Sequence, residues 1–196
     1  MELHRFDAGQ LAATPWKNGG GVTREIACQP PGAGMDAFDW RLSIAEIAAA
    51  GPFSNFPGVD RVITLLDGAG VLLRSVDGAI AHRLATPLAP FAFPGEASID
   101  AQLLGGGCRD LNVMTRRTAC RAKVLVIDSD RVLPAAADGM LLAVQGRWQA
   151  TGAGGGPQSL APSQGLWWHD AAAAWQLRAQ DGAAALLAVL IDRAGP

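Results

Sequence analysis

Apolar residues recur along this chain in short runs, alternating or continuous, spaced about every ten residues and separated by glycine and proline. The clearest are Asp39–Ile47, Arg61–Leu66, Val71–Val76, Ser98–Leu104, Asp110–Thr115, Ala122–Ile127, Leu141–Gln145, Ala174–Arg178 and Ala184–Ile191. Runs of this length and period predict strands, and their spacing predicts an all-β sandwich or barrel rather than strands alternating with helices. Helical pattern is scarce; Gly9–Ala13 predicts one short turn.

The pattern also repeats itself. Val62–Gly68 resembles Met140–Gly146, with Gly68 and Gly146 placed 78 positions apart. Leu88-Ala89-Pro90 returns as Leu160-Ala161-Pro162, and Leu111–Arg117 aligns with Leu187–Arg193 at an offset of 76. Near-equal offsets in order predict one duplicated β unit, hence two small antiparallel barrels or jelly rolls in tandem with little helix. The first barrel is expected over 1–118 and the second over 119–196, packed as one compact unit. The stretch Gly152–Pro157, which holds four glycines, predicts a mobile loop in the second barrel.

Aligned positions differ where chemistry could sit. Asp110, Asn112 and Met114 share one face of a predicted strand, and their counterparts Leu186, Ala188 and Leu190 are all apolar. The first barrel should therefore have a polar interior and the second a greasy one. A buried carboxylate and amide cost several kcal/mol unless partnered, which implies inward cations, water or ligand. Arg24, Arg41 and Arg61 supply cations within or at the start of strands, and Ser43 shares the Arg41 face. Arginine grips carboxylates through two parallel hydrogen bonds, so a small anionic ligand, a carboxylate, is the expected partner.

Ahead of these runs lies Trp16-Lys17-Asn18-Gly19-Gly20-Gly21, followed by an alternating run from Val22 to Ala27 that ends in Gln29-Pro30-Pro31-Gly32. Neither nucleotide fingerprint fits. Lys17 precedes the glycines, no Lys-Ser/Thr pair follows, and the glycines lead into a strand rather than a helix. The remaining readings are a plain turn, or a pocket lip to which Lys17, Asn18 and the amides of Gly19, Gly20 and Gly21 contribute.

Composition narrows the function classes further. Charged residues make up 17% of the 196 and hydrophobic residues 49%, with net charge -2 and pI near 5.9. No basic stripe invites nucleic acid and no apolar run is long enough to span a membrane. The acidic N-terminal sequence and three unpaired cysteines, Cys28, Cys108 and Cys120, predict a cytoplasmic protein with reduced thiols. His4, His82 and His169 are scattered, without the H-x-H spacing of an iron site, so no metal and no cofactor are expected. His169 reads as a surface or core histidine of the second barrel, and Ser43 and Ser54 lack the context of a nucleophile.

Five ordered blocks carry a resemblance that covers nearly the whole chain. They are Pro15–Ala27 ("PWKNGGGVTREIA"), Asp39–Ile47 ("DWRLSIAEI"), Gly51–Gly70 ("GPFSNFPGVDRVITLLDGAG"), Pro90–Glu96 ("PFAFPGE") and Asp110–Arg117 ("DLNVMTRR"). Together they resemble the HutD/Ves family of bacterial cytoplasmic proteins. That resemblance implies a two-barrel cupin fold, a bicupin, without the metal-binding histidines of ordinary cupins. It also implies an association with histidine utilisation, the route from histidine through urocanate to formylglutamate or glutamate, whereas the Ves branch is linked to cold and stress response.

The reading is a metal-free protein that binds a small carboxylate, urocanate or formylglutamate-like, and limits or tunes that pathway. The candidate site comprises Lys17, Asn18, Gly19, Gly20, Gly21, Arg24, Arg41, Ser43, Arg61, Asp110, Asn112 and Met114. The alternative is an enzyme acting on a small carboxylate or a formyl or imino amino-acid derivative, with Asp110 or Glu25 as general base and an arginine as electrophile. A third class, protein interaction through exposed tryptophans such as Trp167 and Trp168, has no motif behind it. Homo-oligomerisation is left open.

Overall fold

A computed structural model describes residues 2–152 and 155–194. Strands supply all the regular structure, and no helix occurs among the described residues, so none is long and apolar enough to cross a membrane. The chain divides into two compact units, Ala12–Cys120 and Met1–Leu11 with Arg121–Pro196.

After β1 (Glu2–Asp7), the Ala12–Cys120 unit is built from β2 (Ala13–Pro15), β3 (Gly21–Gln29), β4 (Trp40–Ile47), β5 (Gly51–Pro52), β6 (Val59–Gly68), β7 (Val71–Ser75), β8 (Ala81–Leu84), β9 (Pro90–Pro94), β10 (Ile99–Leu103) and β11 (Cys108–Arg116). They form a sheet of order β2-β3-β4-β11-β6-β9 and a second of order β5-β10-β7-β8. Ile47, Ile63 and Leu65 of the first sheet and Val71, Leu73, Leu84, Ile99 and Ala101 of the second join in one apolar cluster. That cluster fixes which face of each strand looks into the barrel.

The other unit adds β12 (Cys120–Ile127), β13 (Arg131–Ala136), β14 (Asp138–Gln145), β15 (Trp148–Gly152), β16 (Gln158–Leu160), β17 (Gln164–His169), β18 (Ala173–Ala179) and β19 (Ala185–Arg193). Its sheets run β1-β17-β14-β19-β12 and β13-β18-β15-β16. Strand for strand, β12-β19-β14-β17 repeats β4-β11-β6-β9, and β13-β18-β15-β16 repeats β5-β10-β7-β8. The internal repeat is thus visible in topology, with Leu186, Ala188 and Leu190 in an apolar core beside Trp148, Trp168 and Trp175.

Several local expectations need correction. The helical turn expected at Gly9–Ala13 is a hydrogen-bonded reverse turn leading to β2, in which Gln10 N–H donates to Asp7 O at 3.0 Å. The first eleven residues fall with the C-terminal unit, because β1 pairs with β17 from Glu2↔His169 to Asp7↔Gln164. The chain passes between units at Cys120/Arg121, against the expected 118/119. Trp168, expected at the surface, is fully buried and donates through Nε1 to Ala136 O at 3.1 Å. Trp167 is half-buried and stacks on His4, ring centroids 3.9 Å apart. Residues 153 and 154 of the expected mobile loop lie outside the described residues. All three cysteines are buried and free.

β1 is held by a glycine that leaves room for an aromatic ring. A Cβ added at Gly165 would sit 2.2 Å from the Phe6 ring and 2.5 Å from Leu141 O. Gly165→Ala is therefore expected to cost about 1–3 kcal/mol by expelling Phe6, while Gly106→Ala, where a Cβ meets nothing within 4 Å, should stay within about 0.5 kcal/mol of wild type. Urea unfolding of both variants checks this, and equal midpoints would contradict the role given to Phe6.

Candidate functional site

The register of the larger sheet in the Ala12–Cys120 unit assembles the site row by row. Arg41 of β4 and Arg61 of β6 stand opposite Met114 of β11 on either side. Two residues along, Ser43 and Ile63 flank Asn112, and beyond them Ala45 and Leu65 flank Asp110. Because Ile63 and Leu65 belong to the apolar core, alternation places Arg41, Arg61, Ser43, Asn112 and Asp110 on that same inward face. Glu25 of β3 joins them opposite Ser43.

Burial makes this face unusual. Arg61 is 5% exposed and Asp110 2% exposed. Five buried side-chain polar atoms among the described residues have no hydrogen-bond partner, and three of them, Ser43 Oγ, Asn112 Oδ1 and Arg61 Nε, lie here. The other two, Thr64 Oγ1 and Trp175 Nε1, are isolated from this face. No hydrogen bond reaches the Asp110 carboxylate from any described residue, and no ion pair joins it to Arg61. Groups left unsatisfied in this way cost roughly 1–3 kcal/mol each, so three on one face are a concentrated burden on the fold.

The Arg61 guanidinium is caged rather than paired. Its Cζ lies 5.0 Å from the Phe93 ring centroid, 5.3 Å from Phe53 and 5.5 Å from Phe56. Its one hydrogen bond, from Nη1 to Ser54 O, is long at 3.4 Å. Burial pulls its pKa down to about 10, opposed by the nearby Asp110 charge and reinforced by that of Arg41. Burial likewise pushes the Asp110 carboxyl up to about 7, with Arg61 pulling it back. Near neutral pH the face thus holds a cation and an acid balanced between its two forms. Arg41 donates through Nε to Glu25 Oε2 at 2.7 Å.

Comparison with known proteins places the chain. The HutD family model matches residues 8–187. The chain belongs to the HutD family. Protein Ves of Citrobacter koseri is 44% identical over 169 residues, 86% of this chain and 84% of that protein. Among solved structures, a conserved protein of unknown function from Pseudomonas aeruginosa PAO1 is similar with TM-score 0.85 at 33% identity, covering 99% of this chain and all of the other. HutD from Pseudomonas fluorescens SBW25 is similar with TM-score 0.83 at 29% identity and the same coverage. Oxalate decarboxylase from Lactobacillus farciminis, 10% identical, shares the fold over 97% of this chain and 86% of its own at TM-score 0.67. The fold is therefore that of a cupin, and the five sequence blocks had pointed to the right family.

Within this HutD-family chain, some expected site residues meet and others do not. Arg41, Ser43, Arg61, Asp110, Asn112 and Met114 come together. Arg24 does not, since it stands opposite Ile44 on the other face of the sheet, paired through Nε to Glu46 Oε1 at 2.7 Å. The glycine loop is a hairpin turn in which the amides of Gly19 and Gly20 are already spent. Gly19 N–H donates to Trp16 O at 3.0 Å, and Gly20 N–H to Asn18 Oδ1 at 3.0 Å. Gly21 enters the β3 ladder opposite Ile47, and a Cβ there would meet Glu46 O at 2.2 Å. The loop glycines and Asn18 therefore serve the turn, and Lys17 is exposed on it with no ion pair to a described residue.

Sequence reasoning passed over the aromatic cage, although Phe53, Phe56 and Phe93 all sit in two of the quoted blocks, Gly51–Gly70 and Pro90–Glu96. It also passed over a cleft of about 330 Å³ between the unpaired edges of β8 and β9, lined by Ile80, His82, Phe91, Phe93 and Pro94 among others. The side chains lining the cleft are apolar apart from His82, and Phe93 lies both in that lining and against Arg61. In the other unit His169 Nδ1 lies 2.7 Å from Asp138 Oδ1, which also accepts from Asp170 N–H at 2.7 Å, a brace for the turn after β17.

The raised Asp110 value has a sign that can be checked. An acid whose pKa is higher folded than unfolded binds its proton more tightly in the native state, so native stability falls as pH rises from about 4 to about 7. At 1.36 kcal/mol per unit the loss is on the order of 2–4 kcal/mol. Asp110→Asn, which keeps the shape and cannot ionise, should gain stability relative to wild type between pH 5 and pH 8 by urea unfolding. A difference that stays constant with pH, or shrinks, contradicts this electrostatic account.

Proposed function

We propose that the Ala12–Cys120 barrel binds a small carboxylate at the inward face of β4, β11 and β6, without a metal. Arg41 and Arg61 would supply the charge, and Ser43 and Asn112 the hydrogen bonds. The observation that supports this most is the coincidence, on three adjacent strands, of three unpartnered buried polar atoms with two arginines. Among the described residues no group of three or more His, Cys, Asp or Glu side chains is placed to hold a metal ion. The ligand is taken to be an intermediate of histidine utilisation, urocanate or formylglutamate-like, and the protein to limit or tune that pathway by binding it. Family membership supports the pathway, and a relative named HutD, from Pseudomonas fluorescens, has a structure described as a formate condition.

One observation favours a second reading, an enzyme acting on such a carboxylate. An acid at about 7 beside an arginine is suited to general-base work near neutral pH. Glu25, the other candidate base, is half-exposed and held by Arg41. Product formation from the candidate intermediates by purified protein separates the two readings.

Formate, glutamate, formylglutamate, urocanate and formiminoglutamate are to be compared with chloride at matched ionic strength. Near 100 times its dissociation constant, a ligand adds about 2.7 kcal/mol to native stability, which for a chain of this size raises the melting temperature by roughly 5–10 °C. At least one carboxylate should produce that shift in wild type and lose it in Arg41→Ala and in Arg61→Met, where methionine keeps much of the buried volume. No shift beyond chloride, or undiminished shifts in folded variants, would place the ligand elsewhere.

A further inference from the structure

The carboxylate reading accounts for the arginines but not for Asp110, a second acid on the face meant to receive an acid. On adjacent strands its neighbours are Ala45 and Leu65, and along its own strand Cys108 and Asn112. Of these, Ala45 and Leu65 offer no polar side-chain atom and Cys108 only the weak S–H donor of a thiol, while Asn112, whose Oδ1 is an unpartnered acceptor, and Ser43 opposite it make no hydrogen bond to Asp110 among the described residues. No arginine nitrogen comes within ion-pairing distance of Asp110 among the described residues. An ionised carboxylate in this buried position is held by no hydrogen bond from a described residue, whereas a protonated one donates to the acceptors beside it.

Resting on the carboxylate reading, we propose that Asp110 is the residue that couples ligand to proton: the site takes up a small carboxylate and a proton together, and Asp110 carries the proton in the bound state. The charges balance. A ligand anion brings one negative charge onto a dry face that already holds Asp110, and two like charges there repel strongly. Neutralising Asp110 leaves the ligand anion with the arginines and converts an acceptor into a donor that can bond the ligand or Asn112 Oδ1.

The titratable and charged groups facing Asp110 are few. Arg61 comes from β6, Arg41 from β4, Glu25 from β3 and Cys108 from its own strand, while His82 stands on the inward side of β8 opposite Leu73 and stacks on Phe91. Arginines keep their charge throughout the range concerned. Burial and the Asp110 charge push the Cys108 thiol up to about 11, and burial lowers the His82 pKa. Asp110 itself, at about 7, changes charge across the physiological range. The consequence is a binding site that weakens as the medium turns alkaline.

Calorimetric titration with formate, and with glutarate as a probe long enough to span two rows of the sheet, tests this in two buffers of unlike ionisation enthalpy. With a free-state value of about 7, about 0.5 proton should be taken up per ligand at pH 7 and about 0.9 at pH 8, with affinity falling towards tenfold per pH unit above that. Asp110→Asn, which keeps a donor but cannot titrate, should bind with the same affinity at pH 6 and pH 8 and with a buffer-independent enthalpy. Because that variant could fail to fold, the wild type is also read by infrared difference spectroscopy at pH 8. Addition of probe should increase the protonated-carboxyl band. Binding without proton uptake or without that band overturns this inference alone. No binding of formate, glutarate or any of the histidine-pathway acids overturns it together with the carboxylate reading.

Discussion

The structure turns on one constraint: polar side chains placed inside a small β-barrel must find partners, and several polar atoms of β4, β11 and β6 find none among the described residues. Ser43 Oγ, Asn112 Oδ1 and Arg61 Nε are left unsatisfied, and Asp110 lies on the same face with no hydrogen bond from a described residue. Such groups oppose folding, so the rest of the unit must over-determine their position. It does so in two ways. The barrel holds an apolar core that includes Ile47, Leu65, Val71, Leu73, Ile99 and Ala101. Phe93 of that same core, with Phe53 packed against it and Phe56, also closes over the Arg61 guanidinium, whose flat cation is attracted to the rings and need not be hydrated.

The second unit is the internal control. It repeats the strand order of the first, yet its counterparts of Asp110, Asn112 and Met114 are Leu186, Ala188 and Leu190, packed among tryptophans with centroids of Trp168 and Trp175 5.4 Å apart. One architecture thus folds around a core built of apolar and tryptophan side chains, and a polar face with buried arginine and carboxylate is not something the fold requires. What distinguishes the two barrels is chemistry added to a common frame, which is why the site, not the fold, carries the functional argument.

Much of this was legible in the sequence, and the misses have physical causes. Long strands with β-branched and leucine-rich runs announced themselves, and comparing the two halves located the polar face through Asp110 and Asn112. Arg24 looked equivalent to Arg41 and Arg61 because alternation alone cannot say which of two faces is buried. Only the register, with a bulge between Glu25 and Ala27, sends it to Glu46. The triple glycine looked like part of a pocket lip because glycine permits close approach, but here the close approach of Gly21 is to Glu46 backbone and the amides of Gly19 and Gly20 are occupied. Strands as short as β2, β5 and β16 leave no periodic signal, and the pairing of β1 with β17 joins residues more than 150 positions apart, a contact that local patterning cannot reveal.

The central claim is that the polar groups of the first barrel serve a ligand and burden the fold. The direct test copies the second barrel into the first with Asp110→Leu and Asn112→Ala combined, followed by urea unfolding at pH 8. If the claim holds, the double variant unfolds cooperatively with a midpoint at or above that of wild type. Loss of cooperative unfolding, or a midpoint lowered by the equivalent of about 3–5 kcal/mol, the usual cost of breaking a buried charge pair, would mean that these residues hold the barrel together.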